Sequence, residues 1–316
     1  MLDKERYRSP KPRLRDYWQP RYWFGWLAFV MFRLFALLPQ RAIWVMGAII
    51  GDLASRVHRT PTIRTNLALC FPELGEDERE KLRRRYYQYA GRAFLALGFS
   101  WFGSRKLYER RISLIGQEHI ENAIAEGRGV IFLVPHFLFL EAAGIYISLQ
   151  WPMIGVYRKP RNPMLHQALR YATTRLGGLV VERYESFKPI VRAVREGYTL
   201  YYLPDQDPDR GDTEFVFAPF FGQPAATYTA FARLAKLTRA AVIPLFSRIK
   251  PGAEGYEVEL LPPLEDFPSG DDVADATRIN KIMEGAIRQH PEQYLWSYRR
   301  FKTQPDNAPS PYIRNK

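Results

Sequence analysis

At 316 residues and 47% hydrophobic, the chain is long enough for one large domain or two small ones with a proper core. Its 46 Lys and Arg against 33 Asp and Glu give a net charge of +13, which implies an anionic partner: nucleic acid, an acidic membrane surface or a phosphorylated substrate. The lone cysteine, Cys70, excludes an intramolecular disulfide and a Cys-x-x-Cys metal site, and no helix-turn-helix, RNP or zinc-finger spacing supports nucleic acid. An aromatic content of 15% suits a membrane interface better.

Residues 1–21 form a basic arm. The run "YWFGWLAFVMFRLFALL" follows, Tyr22 to Leu38, apolar but for Arg33. As a helix it would reach about 25 Å, short of a ~30 Å hydrocarbon core. A second apolar run, "AIWVMGAIIGDLA" (Ala42 to Ala54), is shorter again, and positive charge flanks the pair on both sides. No small-residue cleavage site follows, so a removed signal peptide is not expected. Two readings stand: a membrane anchor, as one short span or a helix lying in the interface, or a buried N-terminal core helix.

Residues 60–105 read as helical. "FPELGEDEREKLRRRYYQYAGRAFLALG" opens with acids (Glu76, Asp77, Glu78) and continues with bases (Arg83, Arg84, Arg85), the order that complements a helix dipole. From about residue 112 the pattern alternates. Strands are expected at "GVIFLV", "MIGVY", "GLVVE", "YTLYYL", "AAVIPLFSRI" and "YEVELL". Helices are expected at "EHIENAIAEG", "PMLHQALRYATTRLG", "ESFKPIVRAVREG" and "TYTAFARLAKLT", with another start near Ala225 in "FFGQPAAT". Short strands alternating with helices predict an α/β layered domain with a largely parallel sheet, whose chemistry lies at the carboxyl ends of the strands. The tail "TQPDNAPSPYIRNK" reads as extended.

His136 and Glu141 interrupt the apolar run "GVIFLVPHFLFLEAAG" at the expected carboxyl end of a strand. Five residues apart on one continuous helix they would diverge by about 140°, but Pro135 makes an irregular turn there plausible and would let them meet. The carboxylate would then hold one ring nitrogen and leave the other to take a proton from a substrate hydroxyl. The competing reading is a satisfied core histidine. Without a G-x-S-x-G or an evident nucleophile nearby, the chemistry would be direct transfer to that hydroxyl. Arg158 and Arg183 follow expected strands and suit anion binding, Arg158 also oxyanion stabilisation; otherwise they are surface arginines. Asp205 and Asp207 close "YYLPDQD", where they would hold an arginine or a substrate, or form a turn between Pro204 and Pro208. "DQDPDRGD" fails as a calcium loop because Arg210 stands where glycine is needed. His58, His119, His166 and His290 have no ligand spacing.

"HFLFLE" resembles the H-x4-[DE] motif of the glycerolipid-type acyltransferases. Its surroundings are similar to one branch, the late acyltransferases of lipid A biosynthesis, in particular the lauroyl-transferring type. The resemblance runs through "PRYWFGWL", "RTNLALCFPEL", "GVYRKPRNP", "YYLPDQD", "FVFAPFFGQPAAT" and "PEQYLWSYRRFKT". It implies a glycerolipid-acyltransferase-like domain over residues 55–316, preceded by the basic arm and membrane anchor of residues 1–54. It also implies transfer of an acyl chain from acyl carrier protein to the hydroxyl of a 3-hydroxyacyl chain on a phosphorylated, Kdo-bearing lipid A precursor, with no cofactor. His136 would be the base, Glu141 its orienting partner, and Arg158, Arg183, Asp205 and Asp207 substrate-binding residues. The expected place is the cytoplasmic face of a bacterial inner membrane. Acylation of a glycerophospholipid or mannolipid, and a non-catalytic basic membrane-binding role, are the alternatives.

Overall fold

The computed structural model describes residues 5–58, 60–183, 187–208 and 214–312. Four helices come first: α1 (Trp23–Phe35), α2 (Gln40–Val57), α3 (Pro61–Cys70) and α4 (Glu76–Phe102). The alternating part runs α5 (Arg105–Arg111), β1 (Ile112–Ile115), α6 (Glu118–Ala125), β2 (Val130–Leu133), α7 (Leu140–Gln150) and β3 (Met153–Tyr157). It continues through α8 (Pro163–Thr174), β4 (Leu179–Glu182), α9 (Lys188–Arg195) and β5 (Thr199–Tyr202). A hairpin, β6 (Phe215–Phe220) and β7 (Gln223–Tyr228), precedes α10 (Ala230–Thr238), β8 (Ala241–Ile249), β9 (Tyr256–Leu260) and α11 (Asp272–Gln289).

Seven strands form one sheet in the order β1-β9-β8-β2-β5-β3-β4. From β8 to β4 every pairing is parallel, while β9 runs antiparallel to β8 and takes β1 with it. The central strands are apolar on both faces because helices cover both. Ile131, Leu133, Leu200 and Val242 face one core with Ile190 of α9, Phe231 of α10 and Met283 of α11. Val130, Phe132, Tyr201 and Ile243 face the other, with Ile120 of α6 and Ala142 and Ile147 of α7. Local chemistry sets the helix starts. The Asn162 side chain accepts from the N–H groups of Met164 and Leu165 ahead of α8, and Asp271 does the same ahead of α11.

Two local expectations are corrected. Ala225 opens no helix: it lies in β7, paired with Ala218 of β6, because Gly222 at φ 73° turns the chain back on itself. The membrane-spanning form of the N-terminal segment is also overturned, since no helix among the described residues is long and apolar enough to cross a bilayer. α1 has 13 residues, about 20 Å of helix, and ends before Pro39 turns the chain into α2. Arg210 of the rejected calcium loop lies outside the described residues.

The N-terminal elements pack on the rest rather than standing apart. Tyr7 is buried in the core, and its carbonyl accepts the Val180 N–H of β4 at 3.2 Å. α2 lies along α4 with an unusual arrangement of faces. Its buried residues are Ile43, Gly47, Gly51 and Ser55, while Val45, Met46, Ile49, Ile50, Leu53 and Val57 are exposed. The small residues allow the backbones to touch: a Cβ on Gly47 would lie 2.6 Å from the Arg92 Cα. α1 buries Gly25, Phe29 and Phe32 and exposes Trp23, Phe24, Leu27, Val30 and Leu34.

Candidate active site

The sheet register builds the site. Leu133 of β2 pairs with Tyr202 of β5, and the Val134 N–H continues the ladder to the Tyr202 carbonyl. Three residues beyond each partner of that pair stand His136 and Asp205. Both are therefore delivered to the carboxyl edge of the sheet, where the strands end and the backbone opens toward solvent. His136 Nδ1 lies 2.5 Å from Asp205 Oδ1, and the His136 backbone N–H donates to Oδ2 at 2.8 Å. Tyr294 adds its phenol O–H to Oδ2 at 2.9 Å. The imidazole is 18% exposed and the Asp205 side chain 1%.

Burial would push the Asp205 carboxyl up. The charge of His136, the hydrogen bonds from its ring and backbone, and the one from Tyr294 outweigh that and hold it below its ordinary value. An ionised Asp205 accepts the Nδ1 proton and leaves Nε2 as the basic atom. The Gln206 amide nitrogen sits 3.0 Å from Nε2 and is placed to donate to its lone pair. A substrate hydroxyl arriving in place of that amide would hand its proton to Nε2, and Asp205 would stabilise the imidazolium.

Glu141 is not at His136. It lies in the first turn of α7, and its Oε1 accepts the indole N–H of Trp101 from α4 at 3.0 Å. No hydrogen bond joins Glu141 to His136, whose Nδ1 is taken by Asp205. The turn through Phe137 to Phe139 points the α7 carboxylate toward α4, while the sheet brings β5 beside β2. Burial pushes the Glu141 carboxyl up to about 7, with the Trp101 N–H pulling in the opposite direction.

The other expected site residues divide. Arg158, exposed just past β3, makes no ion pair with a described residue. Arg183 donates to the Tyr228 hydroxyl at 2.6 Å, tying the end of β4 to the hairpin. Asp207 is not placed to meet a substrate. It is fully buried, and its oxygens take the Thr303 N–H and hydroxyl (2.9 and 2.8 Å) and the Lys302 ammonium (3.1 Å), so it clamps the C-terminal segment. Sequence reasoning missed Gln206, Tyr294 and Trp101. Gln206 stands inside "YYLPDQD" and Tyr294 inside "PEQYLW", so the motifs held them without showing what they touch.

The site is a histidine–carboxylate pair at the strand ends of an α/β sheet. A family model described as bacterial lipid A biosynthesis acyltransferase matches residues 11–303. A lipid A biosynthesis lauroyltransferase of Escherichia coli (strain K12) is 36% identical over 296 residues, 93% of this chain and 96% of the relative. The palmitoleoyltransferase of the same strain is 32% identical, covering 95% and 97%, and its myristoyltransferase is 32% identical, covering 95% and 93%. A solved structure, the 1-acyl-sn-glycerophosphate acyltransferase PlsC from Thermotoga maritima, aligns over 81% of this chain and 99% of its own at 12% identity. Its TM-score is 0.38. The chain belongs to the bacterial lipid A biosynthesis acyltransferases, and it is an acyltransferase.

Proposed function

We propose that the protein moves a lauroyl chain from acyl carrier protein to the hydroxyl of a 3-hydroxyacyl chain on a phosphorylated, Kdo-bearing lipid A precursor. The observation that carries this reading is the Asp205–His136 pair, which leaves Nε2, where the Gln206 amide now sits, to take a hydroxyl proton. As Nε2 takes the proton, the acceptor oxygen attacks the thioester carbonyl carbon and a tetrahedral oxyanion forms. Its collapse breaks the carbon–sulfur bond, and the imidazolium returns the proton to the leaving thiolate. A thioester is already activated, so base catalysis and charge stabilisation suffice. Arg158, exposed beside the same sheet edge, is assigned to the substrate's anionic groups. The higher identity to the lauroyltransferase supports the chain length.

In this reading the protein works on the cytoplasmic face of the inner membrane. The exposed apolar faces of α1 and α2 enter the interface, and Arg21, Arg41 and Arg56 meet anionic headgroups. The excess of basic charge also suits the acidic surface of the acyl-carrier donor.

The test is acyl transfer by purified protein from lauroyl-acyl carrier protein to a Kdo-bearing tetraacylated precursor, read by mass spectrometry beside His136→Ala. The expected result is the gain of one lauroyl mass, lost in the variant. No gain with any donor from ten to sixteen carbons would overturn the acceptor or donor assignment. Transfer that survives in His136→Ala would remove His136 as the base.

A further inference from the structure

We propose that Tyr294 is a positioning residue of the reaction, locking the Asp205 carboxylate in the rotation that presents Oδ1 to His136. The inference rests on the reading of His136 as the base and adds a residue to it. A carboxylate turns easily about its last torsion, where the rotamer wells are broad. Here Oδ2 takes two donors, the Tyr294 O–H at 2.9 Å and the His136 backbone N–H at 2.8 Å, leaving Oδ1 for the ring. One donor would hold an oxygen; two from different segments fix the plane.

Tyr294 is itself held from both sides. The Leu295 N–H donates to the His136 carbonyl and the Leu138 N–H to the Gln293 carbonyl, each at 2.9 Å, with an isolated antiparallel bridge between Phe137 and Tyr294. Its ring meets Trp296 edge-on at 4.9 Å and Phe137 at 6.3 Å. The segment that carries Tyr294 therefore also holds the backbone of His136. The phenol, the carboxylate and the imidazole form one relay, and the charged or titratable groups facing it are Arg300 and Cys70.

A buried phenol needs some partner in any fold, so the test has to separate positioning from stability. Tyr294→Phe keeps the ring and removes only the donor. Turnover would be measured against pH for wild type, Tyr294→Phe, Asp205→Asn and the double variant, with His136→Ala as the reference for loss of the base. For Tyr294→Phe the expected result is a kcat about ten-fold lower, the worth of one charge-assisted hydrogen bond, with KM little changed. The acid limb of kcat should move to higher pH, because the Tyr294 bond is one of the causes holding Asp205 low. In the Asp205→Asn background the second substitution should have no further effect on kcat, since Tyr294 acts only through Asp205.

An unchanged kcat and acid limb in Tyr294→Phe, losses that multiply in the double variant, or a Tyr294→Phe protein that does not fold would each overturn the proposal. Activity that survives in His136→Ala would instead overturn the base. The nitrogen-15 spectrum of the His136 ring decides the matter without turnover. Tyr294→Phe should shift the ring toward the tautomer protonated at Nε2, and an identical spectrum would refute the positioning role.

Discussion

Trp101 of α4 and Glu141 of α7 meet across 3.0 Å, and the indole N–H is the carboxyl's hydrogen-bond donor. Burial raises Glu141 from an ordinary 4.5 to about 7, so the fold prefers the protonated form. That contribution to stability is fully present below about pH 4.5 and is lost as the pH rises through about 7. Thermal unfolding at pH 5 and pH 8 should therefore fall more for wild type than for Glu141→Gln. A difference of about 1–3 kcal/mol between them at pH 8 is expected. Parallel pH profiles would show that Glu141 is ionised at no cost in the native protein.

In the proposed reaction, the same placement gives the two carboxylates different weights. With Nδ1 on Asp205, Asp205→Asn should lower kcat about a thousand-fold by freeing the ring to adopt the wrong tautomer. Glu141→Gln, which keeps the Trp101 partner within reach, should cost less than about ten-fold. Steady-state kinetics of both variants, with circular dichroism to confirm folding, decide the order. A larger loss from Glu141→Gln would return the orienting role to Glu141, reached by a rearrangement on binding substrate.

Much of this was legible before the fold. The apolar runs at β2, β3, β5 and β8 announced a buried parallel sheet because helices cover both faces, and they put His136 at a strand end. The partner of His136 was not legible, because adjacency across a sheet is set by strand order, and the neighbour of β2 is β5. Asp205 could be placed at the end of "YYLPDQD" but not beside the imidazole. Glu141 was the nearer carboxylate in sequence, and nearness in sequence misled. The β6–β7 hairpin was read as a helix start since Pro219 and Pro224 obscure a strand pattern and Gly222 takes the turn. For α2, the apolar run of residues 42–54 did not show that its small residues, Gly47 and Gly51, turn inward.

That small face predicts a sharp sensitivity. Gly51 and Gly91 abut the facing backbones of α4 and α2, at Tyr87 and Gly47, so neither has room for a Cβ without moving a helix. Gly51→Val should lower stability by about 2 kcal/mol or more, read as a drop in Tm. Gly127, where a Cβ would meet no atom within 4 Å, is a contrasting site whose Ala substitution strains only the backbone at φ 72°. A Gly51→Val protein as stable as wild type would mean that the α2–α4 contact is looser than its geometry.

The outer face of α2 and α1 makes a separate prediction. Ile49→Asp combined with Leu27→Asp should weaken binding to vesicles containing anionic lipid by more than about ten-fold, leaving Tm unchanged, because both side chains are exposed. Co-sedimentation with vesicles of defined composition measures it. Equal binding by wild type and variant would place the membrane contact elsewhere.

The clamp formed by residues 293 to 295 gives the enzyme a built-in order of assembly. Every strand of the sheet, and His136 and Asp205 with them, is synthesised before the segment that steadies them. A chain still emerging from the ribosome thus carries His136 and Asp205 without the phenol that donates to the carboxylate. Until that segment is added, the Asp205 Oδ2 has one of its two donors, the His136 backbone N–H, and lacks the other.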